Sequence, residues 1–314
     1  MEQRYVGRSG LSVSRLGLGT MTWGRDTGPE EAALQLRTFA DAGGTLIDTA
    51  DVYTGGEAER LLGRLLRETV PRSELVIATK AVLTPASRRP RDASRRHLIA
   101  AVDASLARLG VDDVDLWQLH AFDSEVPLEE TLAAVDTIVS TGRAAYAGVC
   151  NYAGWQLTAA AVHQGALGRT PIVSAQVEYS LLARDAEREV LSAAEHLGAG
   201  VLAWSPLGRG VLTGKYRTGV PADSRAATPH FADFVRPYLD ERCRRIVESV
   251  TTAAEGLAVS PLSVALSWVR DQPGVCAAIV GARTSTQLTG ILLAEDLTLP
   301  VEIRDALDDV SATE

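Results

Sequence analysis

Cysteine is scarce in this 314-residue chain. The three residues, Cys150, Cys243 and Cys276, show no CxxC spacing. That set supports neither a disulfide framework nor a zinc site, so buried thiols are expected and a metal centre is not. Long apolar runs are also missing. No stretch approaches the ~18 apolar residues that a membrane-spanning helix needs, and the opening MEQRYVGRSG has no apolar signal-peptide core. The expectation is a cytoplasmic protein without a membrane partner. Positive charge is in deficit: 31 Lys plus Arg face 40 Asp plus Glu, a net charge of −9, with no long single-sign run. This argues against nucleic acid or anionic membrane as the main partner and leaves a small molecule as the default. The chain is taken as a monomer or weak homo-oligomer. Lysine is scarcer than cysteine. Only Lys80 and Lys215 are lysine, and the other 29 basic residues are arginine.

What is present is an ordinary globular composition, 46% hydrophobic and 23% charged. EQRYVG, a turn at Arg8, Ser9 and Gly10, and LSVSRLGLGT predict an N-terminal β-hairpin. One pattern then recurs: a helical stretch, a glycine stop and a short apolar strand, as in QLRTFADAGGTLIDT, SLARLGVDDVDLWQLH, DTIVSTGRAAYAGVC and SAAEHLGAGVLAWS. Strands are expected to begin near Leu16, Leu46, Leu75, Val114, Ala145, Ile172, Val201 and Val275. Eight strands separated by helices must run parallel, and this length suits an α/β fold of the (β/α)8 TIM-barrel type. A doubly wound open sheet is the alternative. No linker or composition break divides residues 1–314, so one domain is expected. Segment 206–236 is the least regular, and so long a loop is more often functional than idle.

In such a barrel the C-terminal strand ends converge on one mouth. LIDTADVY delivers Asp48 there and places Tyr53 on the following loop; LVIATK ends in Lys80 and DLWQLH in His120. In an arginine-rich chain a lysine on an interior strand stands out, because a compact ammonium can be tuned by burial where guanidinium cannot. A core ion pair, a rim histidine and a packing aromatic are the plain alternatives. Together the four suit a tyrosine acid. Lowering a phenol from about 10 by about two units takes ~2.7 kcal/mol. One charge at about 4 Å supplies roughly 1 kcal/mol in water but about 4 at an effective dielectric near 20. The lysine suffices only in a partly dry site, with Asp48 paired to it on the side away from Tyr53 and His120 orienting a substrate oxygen. Such an acid fits carbonyl reduction, with hydride from a cofactor.

Asp48, Tyr53, Lys80 and His120 in these motifs resemble the catalytic quartet of the aldo-keto reductase superfamily. The likeness is to its long-chain members, of the aryl-alcohol dehydrogenase and potassium-channel β-subunit kinds. The resemblance runs from the hairpin to near residue 300 and implies an NADP(H)-dependent barrel oxidoreductase acting on a carbonyl substrate. GLGTMTWG resembles the first-strand loop, implying that Gly19, Thr20 and Met21 lie beside the nicotinamide ribose and diphosphate. GVCNY resembles the Ser-Asn pair that holds the carboxamide; Asn151 matches and Cys150 replaces the serine, and Asp48 is also counted among the cofactor contacts. Gln176 in SAQVEYS matches the carboxamide-binding glutamine. AWSPLGRGVLTGKY resembles the diphosphate-covering loop, with Trp204 in the stacking position, then Ser205, Leu207, Gly208, Gly210 and Lys215. IVGARTSTQL resembles the 2′-phosphate and adenine segment, with Gly281, Arg283, Thr284 and Gln287. It favours NADPH/NADP+, although Gly290 and Ile291 stand where the family often has an acid and an asparagine.

Other signals are weaker. GLGTMT lacks the third glycine of a dinucleotide fingerprint, and GRGVLTGKY lacks the first glycine and the Ser/Thr of a P-loop. The acids in PLEET read as a helix first turn. Two further functions stay open: a cofactor-sensing regulatory subunit with slow turnover, and glycoside hydrolysis, which needs two strand-end carboxylates and no nicotinamide cleft.

Overall fold

The computed structural model describes residues 1–85, 87–222 and 224–312. A hairpin of β1 (Gln3–Tyr5) and β2 (Ser12–Ser14) pairs antiparallel, Gln3 opposite Ser14. Eight parallel strands follow: β3 (Leu16–Gly19), β4 (Leu46–Asp48), β5 (Val76–Ala81), β6 (Val114–Leu119), β7 (Ala144–Cys150), β8 (Ile172–Glu178), β9 (Gly200–Trp204) and β10 (Val275–Val280). They pair in sequence order, and β10 closes on β3. Closure gives a (β/α)8 TIM barrel and removes the open-sheet alternative. Each observed strand starts within one residue of its expected position. Gly110 and Gly198 end their helices in the left-handed conformation, as the glycine stops predict.

Strand parity divides the core. Leu46, Ala78, Leu116, Leu202, Ala277 and Ile279 point inward and pack with Val6, Leu11 and Val13 of the hairpin, which plugs the bottom of the barrel. The alternate residues face the helices and join the larger core. Because side chains alternate with period two, each inward row continues upward to a polar residue: 46 to Asp48, 78 to Lys80, 116 through Gln118 to His120, 202 to Trp204. Midway, Ser174 Oγ donates to Gln118 Oε1 at 3.2 Å, and Gly148 is pressed against Ser174. A Cβ on Gly148 would lie 1.9 Å from Ser174 Oγ and 3.1 Å from its carbonyl oxygen. Gly148→Ala is therefore expected to cost about 1–3 kcal/mol through overpacking, read as a lower urea midpoint.

Segment 206–236 carries more structure than its pattern suggests, with short helical turns at Gly208–Thr213 and Arg225–Ala227 and a helix at Ala232–Val235; Asp223 lies outside the described residues. Arg209 gathers it. Its guanidinium forks onto Glu178 at 2.8 and 2.7 Å, donates to the Phe234 carbonyl, and stacks over the Phe234 ring at 3.9 Å and the Tyr238 ring at 4.8 Å. These contacts join residues that are far apart in sequence, so no local period announces them. Among the described residues no single helix is long and apolar enough to cross a membrane.

Candidate active site

The mouth holds a cavity of about 630 Å³, within the range of small-molecule sites. Asp48 closes β4 and is 2% exposed; Lys80, on β5, is fully buried. The ammonium's three hydrogens are all committed. Lys80 Nζ donates to Asp48 Oδ2 at 2.6 Å, to the Thr49 carbonyl at 2.8 Å and, at a weak 3.4 Å, to the Tyr53 hydroxyl. The other Asp48 oxygen accepts from Gln176 Nε2 at 2.8 Å. Tyr53 opens the turn Tyr53–Gly56, whose positive φ values at Thr54 and Gly55 fold it back over the mouth. Thr54 Oγ1 pins that turn to the Trp23 carbonyl at 3.0 Å. His120 follows β6, with its ring edge-on to Tyr53 at 6.0 Å between centroids.

Electrostatics corrects one expectation. Burial pushes the Tyr53 phenol up to about 12, and the nearby Lys80 charge and hydrogen bond only partly offset this while Asp48 adds to it. The resting tyrosine is a weaker acid than in water, because the dry site that strengthens Lys80 also penalises phenolate. Burial works against the Lys80 charge, but Asp48 overcomes it and the ammonium is held charged. His120 is pulled down to about 3 by burial and then by Lys80, so it is neutral. Its Nδ1 is buried and has no hydrogen-bond partner among the described residues. Burial likewise holds the Cys150 thiol protonated.

The structure brings most of the expected cofactor residues to this cavity. Gly19, Met21, Asp48, Asn151, Gln176, Trp204, Ser205, Leu207, Gly210, Lys215, Gly281, Arg283 and Gln287 line it, together with Tyr53, His120, Gly290 and Ile291. Thr20, Cys150, Gly208 and Thr284 do not, and Lys80 acts from behind Tyr53 and Asp48. Thr20 supports the wall, its Oγ1 bonding the Asp48 carbonyl at 3.2 Å. Asn151 is a strut: Nδ2 donates to the His120 carbonyl and Oδ1 accepts from Trp204 Nε1, each at 3.0 Å. Thr284 caps the helix Ser285–Leu292, and Gln287 Oε1 accepts from the Arg283 amide at 2.9 Å. Glu31 accepts from the Ser285 amide, so an acid already occupies part of that helix start.

Arg225 escaped the sequence reading. It lines the cavity, with Nη2 3.4 Å from where a Cβ on Gly281 would lie and its guanidinium over the Phe231 ring at 5.4 Å. Burial, and then Arg283, lower its proton affinity. Among the described residues it forms no hydrogen bond through its guanidinium. One arginine of 29, in an irregular segment, carries no sequence signal.

The Aldo/keto reductase family model matches residues 15–312. The chain belongs to the aldo/keto reductase family. Only the hairpin and the last residues fall outside the match. This aldo/keto reductase is 36% identical to an uncharacterized oxidoreductase, YrpG, of Bacillus subtilis (strain 168), over 99% of this chain and 96% of the relative. It is also similar to probable voltage-gated potassium channel β subunits of Oryza sativa subsp. japonica, at 33% identity, and Arabidopsis thaliana, at 34%. Each match covers 99% of this chain and 95% or more of the relative. The family and the oxidoreductase relative together make this barrel an oxidoreductase of the aldo/keto reductase type.

Proposed function

We propose that this aldo/keto reductase is an NADPH-dependent reductase of a small aldehyde or ketone, with Tyr53 as proton donor. One observation carries the reading: the Lys80 ammonium links Asp48 to the Tyr53 hydroxyl at a cavity also lined by Lys215, Arg225 and Arg283. Three cations beside open glycine backbone suit a ligand with several phosphate oxygens. Arg225, whose guanidinium has no hydrogen-bond acceptor among the described residues, fits such a ligand best. Gln176 spends its amide hydrogen on Asp48, which leaves Oε1 for a carboxamide N–H. NADPH held there supplies hydride for the carbonyl carbon.

The chain's residues handle the proton. Tyr53, protonated throughout the neutral range, donates its hydroxyl hydrogen to the carbonyl oxygen and is later reprotonated from water. Lys80, fixed by two strong bonds, stabilises negative charge as it develops on the phenol oxygen. Neutral His120 offers Nε2, the nitrogen not buried, to orient the substrate oxygen. The partner is a small carbonyl compound, not nucleic acid or membrane. NADPH oxidation followed over a panel of aldehydes, diketones and keto-sugars tests the reading; no turnover with any of them opposes it.

The likeness to probable potassium-channel β subunits supports a second reading, a regulatory subunit that binds the cofactor and turns over slowly. NADPH binding without measurable reduction favours that role. Arg283→Ala separates the cofactors: the dissociation constant for NADPH is expected to rise by about tenfold or more, from loss of one charged phosphate pair worth ~1.5–3 kcal/mol, with little change for NADH. Equal shifts remove the phosphate role.

A further inference from the structure

Beneath the Tyr53 turn lies an ionisable cluster that this proton transfer does not use. Asp51 sits between Asp48 and Tyr53, its amide donating to the Lys80 carbonyl at 3.0 Å. Its Oδ1 is buried without a hydrogen-bond partner among the described residues. Two neighbouring side chains bond each other rather than Asp51. Glu59, fully buried on the helix Glu57–Glu68, takes Thr79 Oγ1 at 2.6 Å and Arg108 Nε at 2.6 Å. Arg108, from the helix Arg95–Leu109, gives a second bond to Ser105 Oγ at 3.0 Å, and its chain runs so close under Gly56 that a Cβ there would lie 2.8 Å from Cδ.

We propose that Asp51 is a positioning residue for the Tyr53–Lys80 pair, holding a proton during reduction and, on ionising, slowing proton donation by Tyr53. The inference rests on the reductase reading above. A neutral carboxyl is the form that suits an oxygen buried without a donor. An ionised one adds a further, partly buried anion within the field of Lys80, drawing on the charge that supports Tyr53 and opposing phenolate. The groups facing Asp51 set its titration: burial and then Glu59 push it up to about 7, against Arg108, the Val52 amide and Lys80.

The test is the pH dependence of kcat for NADPH-linked aldehyde reduction, from pH 5.5 to 9, in wild type and Asp51→Asn. Wild type is expected to fall about tenfold between pH 6 and 8 through one proton, and Asp51→Asn to lose that transition. Melting temperature gives a readout independent of turnover. With the folded value above the unfolded one of about 3.9, the stability tied to this proton is full below pH 4 and is lost as pH rises towards 7. The wild-type melting temperature should decline over that window relative to Asp51→Asn. Superimposable kcat profiles, or melting curves with the same pH dependence, overturn the inference. If neither protein reduces any carbonyl, the reductase reading fails, and the melting comparison still decides whether Asp51 carries the proton.

Discussion

Tyr53→Phe should abolish most carbonyl reduction while leaving NADPH binding intact. The substitution keeps the ring that packs on the turn and removes one oxygen, whose bond to Lys80 is a weak 3.4 Å. Stability should hardly change. General acid catalysis contributes about 10² to 10⁴ in rate, roughly 3–5 kcal/mol of barrier, and that is the loss expected in kcat. Fluorescence quenching by NADPH should match wild type. Reduction within a few-fold of wild type would place the donor elsewhere, with His120 the next group at the cavity. Because burial holds Tyr53 at about 12, its own ionisation leaves reduction unaffected below pH 11. A decline near neutrality must then come from another group, which keeps the Asp51 test separate from this one.

Lys80→Met is expected to damage both stability and turnover, by separate routes. The substitution fills a similar volume but leaves Asp48, 2% exposed, with Gln176 as its remaining side-chain partner. Removing one member of a buried pair costs about 3–5 kcal/mol, because the remaining charge is stranded. In a chain of this size that lowers the melting temperature by roughly 10 °C. Turnover falls because phenolate loses the adjacent Lys80 cation. The double variant Asp48→Asn/Lys80→Met separates the two routes. It should recover most of the melting temperature, with no buried charge left unpaired, and remain inactive. Near wild-type reduction by Lys80→Met would sink the acid assignment; recovery of activity in the double variant would show that the lysine served only to neutralise Asp48.

Much of this was legible in the chain itself. The glycine stops, the apolar runs and their length predict eight strands, and each begins within a residue of its expected place, because helix and strand periods are local properties. Parity also carries Asp48, Lys80, His120 and Trp204 to the same end of the barrel, since each ends an apolar row of fixed period. Sequence alone therefore determined the elements and the strand ends that carry Asp48, Lys80 and His120, with a barrel favoured over an open sheet.

Closure of the barrel decided the rest. The Gln176 bond to Asp48 spans 128 positions, and Arg225 reaches Gly281 and Arg283 only because the segment after β9 folds across the end of β10. The direction of the Tyr53 shift was out of reach for the same reason. A charged neighbour can be named from a motif, but the loss of water that outweighs it belongs to the packed site as a whole, and no stretch of chain encodes it locally.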